Sequence, residues 1–121
     1  MASLPQSRPR VAIYARSATL SQETGDAPLV RQERLCRAYA AEHGYTIVPD
    51  HVYHEVGPGS ARASHLALTA AIAAVRQREV AAIRVAGPDR ISRDPAWLAR
   101  VEREVQQAGG RIEYVEDPRW L

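Results

Sequence analysis

Apolar positions fall into short runs separated by amphipathic stretches, and the two alternate along the chain. Val11-Ala12-Ile13-Tyr14-Ala15-Arg16 contains no breaker and reads as a first strand. Ser17 to Ala27 is polar, holds Gly25 and Asp26, and reads as a loop. Pro28 suits a first helical turn with Asp26 or Ala27 near the cap. That helix is expected to run to about His43 and stop at Gly44, a natural C′ residue. Leu29, Cys36 and Ala40 share its inner face, with Val30 and Tyr39 flanking.

Tyr45 to Val56 alternates as a strand, with Pro49 and Asp50 expected to break it early. Gly57-Pro58-Gly59-Ser60 is a loop, and Ala-rich His65 to Gln77 has high helix propensity. Val80 to Val85 is nearly apolar throughout, as suits a parallel strand covered on both faces. Gly87 to Arg93 leaves it as a turn or short helical segment. Asp94-Pro95 then starts a helix by cap and first-turn proline, with Leu98, Val101 and Val105 along one side. Gly109-Gly110 stops it, and Arg111 to Val115 is a fourth strand. Strands alternating with helices at these lengths imply right-handed crossovers and an α/β fold of three layers. The expected sheet is mainly parallel, of four strands or slightly more, with helices on both faces.

Composition narrows the picture less than the pattern does. The 121 residues make one domain, 45% of them apolar, enough for a packed core. Residues 1–10, with two prolines and two arginines, read as a flexible arm preceding a domain over 11–121. Apolar stretches are short and interrupted, which excludes a membrane-spanning helix. No signal-like segment opens the chain, so a cytoplasmic location is expected. Cys36 is the lone cysteine, with no partner for a disulfide or metal site, and reads as a small apolar residue. Net charge is only +2, yet all 16 Lys/Arg positions are Arg. A GC-rich genome produces that bias, and bidentate recognition of phosphate does too.

In an open parallel sheet, ligands bind beyond the carboxyl ends of the strands. The first strand delivers Arg16 and Ser17 there, and the third delivers Asp89 and Arg90, with Arg93 three residues on. On a helical turn an i, i+3 pair shares one face, so Arg90 and Arg93 are expected to point together. Three guanidinium groups, a hydroxyl and a carboxylate suit a phosphate, whose charge the arginines stabilise while a hydroxyl attacks phosphorus. The alternative is a solvated charge network around a helix start.

Asp89-Arg90-Ile91-Ser92-Arg93-Asp94, after an apolar strand, resembles the D-R-[LI]-[SG]-R-D segment of serine recombinases of the resolvase/invertase kind. Val11 to Arg16 is similar to their opening strand, written Y-A-R-V-S-T. Gln32, Cys36 to Ala40 and His43-Gly44-Tyr45 resemble their first helix and its exit, and Ile112 to Pro118 their next strand. The resemblance spans roughly residues 11 to 118. It implies a resolvase-like catalytic domain in which a serine attacks a DNA phosphodiester without metal or other cofactor. By motif match, Arg16, Asp89, Arg90 and Arg93 inherit the stabilising roles, and Tyr14 and Gln32 support the pocket.

Three departures stand out. Y-A-R-V-S-T aligns with Tyr14-Ala15-Arg16-Ser17-Ala18-Thr19, so the nucleophile column holds Ala18 and the serine is displaced to Ser17. A one-residue shift in a strand turns a side chain to the other face. A loop after Arg16 would re-aim Ser17, and Thr19 is a third hydroxyl. The arginine of the family's R-P pattern falls on His65, with Arg62 three residues earlier able to serve the same phosphate. No long dimer helix or DNA-binding domain follows, so DNA binding is expected to be weak alone and to come through a partner, in a homo-oligomer. Two further readings stand beside the enzyme: an inactive resolvase-like module for binding or oligomerisation, and a small phosphate-binding protein unrelated to DNA.

Overall fold

The computed structural model describes residues 9–17, 28–57 and 65–116. The elements run β1 (Arg10–Ser17), α1 (Pro28–Glu42), β2 (Thr46–Val56), α2 (Leu66–Arg76), β3 (Ala82–Val85), a 3-10 turn (Pro88–Arg90), α3 (Pro95–Gln107) and β4 (Arg111–Tyr114). The four strands form one sheet in the order β2-β1-β3-β4 with every neighbouring pair parallel. Ala18, Thr19, Arg62, the Pro58-Gly59-Ser60 loop, Trp120 and most of the expected arm lie outside the described residues.

Period-two alternation in β1 divides the core. Ala12 and Tyr14 pack with Leu68, Ile72 and Val75 of α2 and with Val101 and Val105 of α3. Val11 and Ile13 face the other way, Val11 against Ala40 and Ile13 against Cys36 of α1. The three layers are therefore α1, the sheet, and the α2–α3 pair. Cys36 is fully buried, and burial pushes its thiol up to about 12 despite the opposing Arg84 charge. Reaction needs the thiolate. Alkylation at about pH 8 should therefore be blocked in the native protein and appear when denaturant is added, as mass spectrometry would show.

The caps follow the sequence closely. Asp94 accepts a hydrogen bond from the Ala96 amide at 3.0 Å and Pro95 opens α3. Gly44, at φ 70°, supplies the left-handed residue that ends α1. Gly110 has a different duty: a Cβ there would lie 2.5 Å from Val75 Cγ1 and 2.7 Å from the Ala81 carbonyl oxygen. The backbone entering β4 thus passes directly over the end of α2 and the approach to β3. Gly110→Ala forces these apart and should cost about 1–3 kcal/mol in a urea melt.

One element differs from its expectation. Pro49 and Asp50 do not end the second strand, which continues to Val56. Val11 pairs with Ile47 and Ile13 with Val52, so two steps along β1 answer to five along β2. The three additional residues are absorbed as a bulge that includes Pro49. β2 is an edge strand, where a missing N–H breaks no ladder.

Candidate active site

All three α-helices begin at the edge where the strands end. The chain leaves β1 through α1 on one face and leaves β2 through α2 on the other. The crevice between the ends of β1 and β3 is therefore the topological switch point. Arg16 and Ser17 close β1 there, and the Pro88–Arg90 turn follows β3.

Arg16 is 9% exposed, and its guanidinium is occupied by the protein's own backbone. Nε donates to the Arg90 carbonyl at 2.7 Å, Nη1 to the Gly57 carbonyl at 2.8 Å and Nη2 to the Asp89 carbonyl at 2.7 Å. The side chain thus ties the end of β1 to the exit of β2 and to the turn after β3. Gln32 holds the same residue from the α1 side: its Oε1 accepts from the Arg16 amide at 3.1 Å and its Nε2 donates to the Arg16 carbonyl at 2.9 Å.

Tyr14 is fully buried below Arg16 on the α2–α3 face. Its hydroxyl donates to Glu55 Oε1 at 2.8 Å, while Glu55 Oε2 accepts from the Ala67 amide at 2.8 Å. Burial first, then the Glu55 carboxylate, drives the Tyr14 phenol far above its usual range. It is a fixed donor joining β1, β2 and the first turn of α2. Sequence reasoning missed Glu55, whose signal is a carboxylate inside a strand, one residue before the end.

Ser17 belongs to the other face. Strand geometry extends through it, since Ser17 pairs with Val56 and its carbonyl accepts from the Gly57 amide at 2.8 Å. Alternation therefore sets its side chain opposite to that of Arg16. Ser17 is 7% exposed and lines a cavity of about 330 Å³ with Pro28, Arg31, Gln32 and Leu35 of α1 and with Arg90 and Glu116. Arg90 is thus the predicted arginine that lines the same cavity as Ser17, and Arg31 was not anticipated.

The helical turn closes at Ile91, which is buried in the core, so the i, i+3 relation assumed for Arg90 and Arg93 does not apply. Arg93 and Asp89 are exposed. Ser92 is buried, with its hydroxyl accepting from the Asp94 amide at 3.0 Å. His65 sits at the N-cap of α2, makes no side-chain cap bond, and stacks on Trp97 with ring centroids 5.2 Å apart. Among the described residues no His/Cys/Asp/Glu group of three gathers as a metal site, and no helix is long and apolar enough to cross a membrane.

Comparison with known proteins agrees with this architecture. The family model "Resolvase, N terminal domain" matches residues 11–119. The C-terminal catalytic domain of ISC1926 TnpA, an IS607-like serine recombinase, is 27% identical, with a TM-score of 0.73 over 89% of this chain and 70% of that one. The N-terminal catalytic domain of TP901-1 integrase shares the fold at 20% identity and a TM-score of 0.76, covering 88% of this chain and 77% of its own. A resolvase family site-specific recombinase from Streptococcus pneumoniae does so at 23% identity and 0.74, covering 91% and 74%. No curated protein matches the chain. The match over nearly its whole length, on a four-stranded parallel sheet with helices on both faces, makes this chain a member of the resolvase N-terminal domain family.

Proposed function

We propose that this domain serves DNA recombination as a resolvase-fold module that recognises phosphate and assembles with recombinase partners, without itself forming the link to DNA. The alternation at the end of β1 carries the reading. A nucleophilic hydroxyl needs the groups that stabilise the reacting phosphate on its own side, within hydrogen-bond reach. Here Arg16 and Ser17 project from opposite faces, and the Arg16 guanidinium already serves three carbonyls. The family pattern places its serine two residues after the arginine, where this chain has Ala18, and a methyl group attacks nothing. Arg90 and Arg93 supply positive charge at the strand edge, and His65 sits at the start of α2.

A nicked DNA suicide substrate separates this from catalysis, because a phosphoserine link survives denaturing electrophoresis. No adduct is expected from the natural chain or from Ser17→Ala. Ala18→Ser returns the hydroxyl to the pattern position and is expected to produce an adduct. A second reading, with Ser17 as displaced nucleophile, is favoured by the cavity it shares with Arg31 and Arg90. An adduct from the natural chain that disappears in Ser17→Ala would establish that reading and overturn the first.

A further inference from the structure

Away from the strand edge, the last turns of α2 and α3 flank an open groove of about 480 Å³ lined by Arg76, Arg100, Arg103, Glu104 and Gln107. Every one of these residues is polar or charged, and three guanidinium groups face one carboxylate. That carboxylate neutralises little: Glu104 lies 4.0 Å from Arg76, with both side chains about half exposed. The neighbouring Glu102 is diverted to accept from the Tyr114 hydroxyl at 2.6 Å. On α1, by contrast, Arg37 is held by Glu33 at 2.8 Å. The groove also joins the candidate site through aromatic rings. The Arg100 guanidinium stands 5.6 Å from the Trp97 ring centroid, and Trp97 stacks on His65.

We propose that this groove is a second contact surface for DNA, gripping backbone phosphates through Arg76, Arg100 and Arg103. From Arg100 to Gln107 the helix rises about 10 Å, at about 1.5 Å per residue. The three guanidinium groups gathered over that length can each neutralise one backbone phosphate. Clustered like charges are costly to hold together, and a polyanion relieves that cost by releasing its condensed counterions. An acidic protein segment is the poorer fit, since protein partners anchor through buried apolar and aromatic residues and this groove offers none. The inference rests on the proposed role in DNA recombination and adds where the duplex lies: from the strand edge, past His65 and Trp97, along the outer side of α3.

The test is a salt titration of binding to a short duplex of arbitrary sequence, read by fluorescence anisotropy with the full chain. The groove variant Arg76→Gln/Arg100→Gln/Arg103→Gln is compared with Arg34→Gln/Arg37→Gln/Arg78→Gln, which removes the same charge elsewhere. The groove variant should bind roughly 10-fold more weakly near 0.1 M salt, with the slope of log K against log salt reduced by about 2 to 3. The matched variant should stay within about 2-fold of the natural chain. Arg103→Glu alone, on the exposed side of α3, should weaken binding in the same direction and covers the case of a misfolded triple variant. Equal loss in both triple variants, or none in the groove variant, overturns the groove while leaving the proposed function standing. No DNA binding by the natural chain overturns both. Groove-dependent binding of polyglutamate with DNA binding intact would make the surface a protein-docking site and also overturn the proposal.

Discussion

Arg16→Ala should destabilise the fold by roughly 3–5 kcal/mol, because its main partners are carbonyl oxygens rather than a ligand. Removal leaves the carbonyls of Gly57, Asp89 and Arg90 without their donor. An unsatisfied buried acceptor costs about 1–3 kcal/mol, and water entering at the strand edge recovers part of the total. Domains of this size have only about 5–15 kcal/mol in hand. In thermal terms the loss is on the order of 15–25 °C. Arg16→Lys should recover little, since one ammonium cannot reproduce a planar fork spread over three acceptors. Urea and thermal melts check both variants. A melting temperature unmoved in Arg16→Ala would mean that the guanidinium is held for phosphate and not for the scaffold.

The ion pair between β3 and β4 should behave in the opposite way to its apparent strength. Arg84 and Glu113 are paired in register, 3% exposed each, with both Arg84 Nε and Nη2 at 2.9 Å from Glu113 Oε1. Glu113 Oε2 accepts from Arg111 Nε at 2.7 Å, and the Arg84 guanidinium lies 4.6 Å from the Tyr45 ring centroid. Glu113→Ala strands a buried guanidinium and should cost about 3–5 kcal/mol. Replacing both partners, as Arg84→Met/Glu113→Leu, should return stability to the natural level or above it, because the desolvation penalty goes with the charges. A double-mutant cycle reports the difference as a coupling energy. If the double variant is as unstable as Glu113→Ala, the pair contributes net stability and this account of it fails.

Much of the architecture was readable from the sequence, and the reasons are local. Pro28, Gly44, Asp94-Pro95 and Gly109 act through backbone geometry that one or two residues decide, so the helix limits fell close to expectation. The two-residue period of β1 placed Tyr14 and Arg16 on one face, but the direction of Ser17 hung on whether the strand ended at Arg16, and only the continuation of β1 through Ser17 decides it. What stayed hidden depended on partners distant in sequence. Arg16 bonds carbonyl oxygens, which every residue carries, so nothing in the sequence marks Gly57, Asp89 or Arg90 as its acceptors. Arg84 sits in a run that reads as nearly apolar, and only the register with β4 reveals Glu113 beside it. The Tyr14–Glu55–Ala67 link likewise joins residues from three elements. Arg31 entered the Ser17 cavity through the position of α1 over the sheet, which sequence spacing alone does not give.

The bulge in β2 has a consequence for how copies of this domain can meet. A flat exposed strand invites another chain to add itself by main-chain pairing, the first step towards aggregation. Here the edge formed by β2 is kinked where Pro49 withholds a donor, and the opposite edge, β4, is only four residues long. Among the described residues, neither border offers a long uninterrupted row of free donors and acceptors as a template. Association through continuous sheet extension is therefore disfavoured, which leaves the helical faces as the surfaces on which ordered assembly can be built.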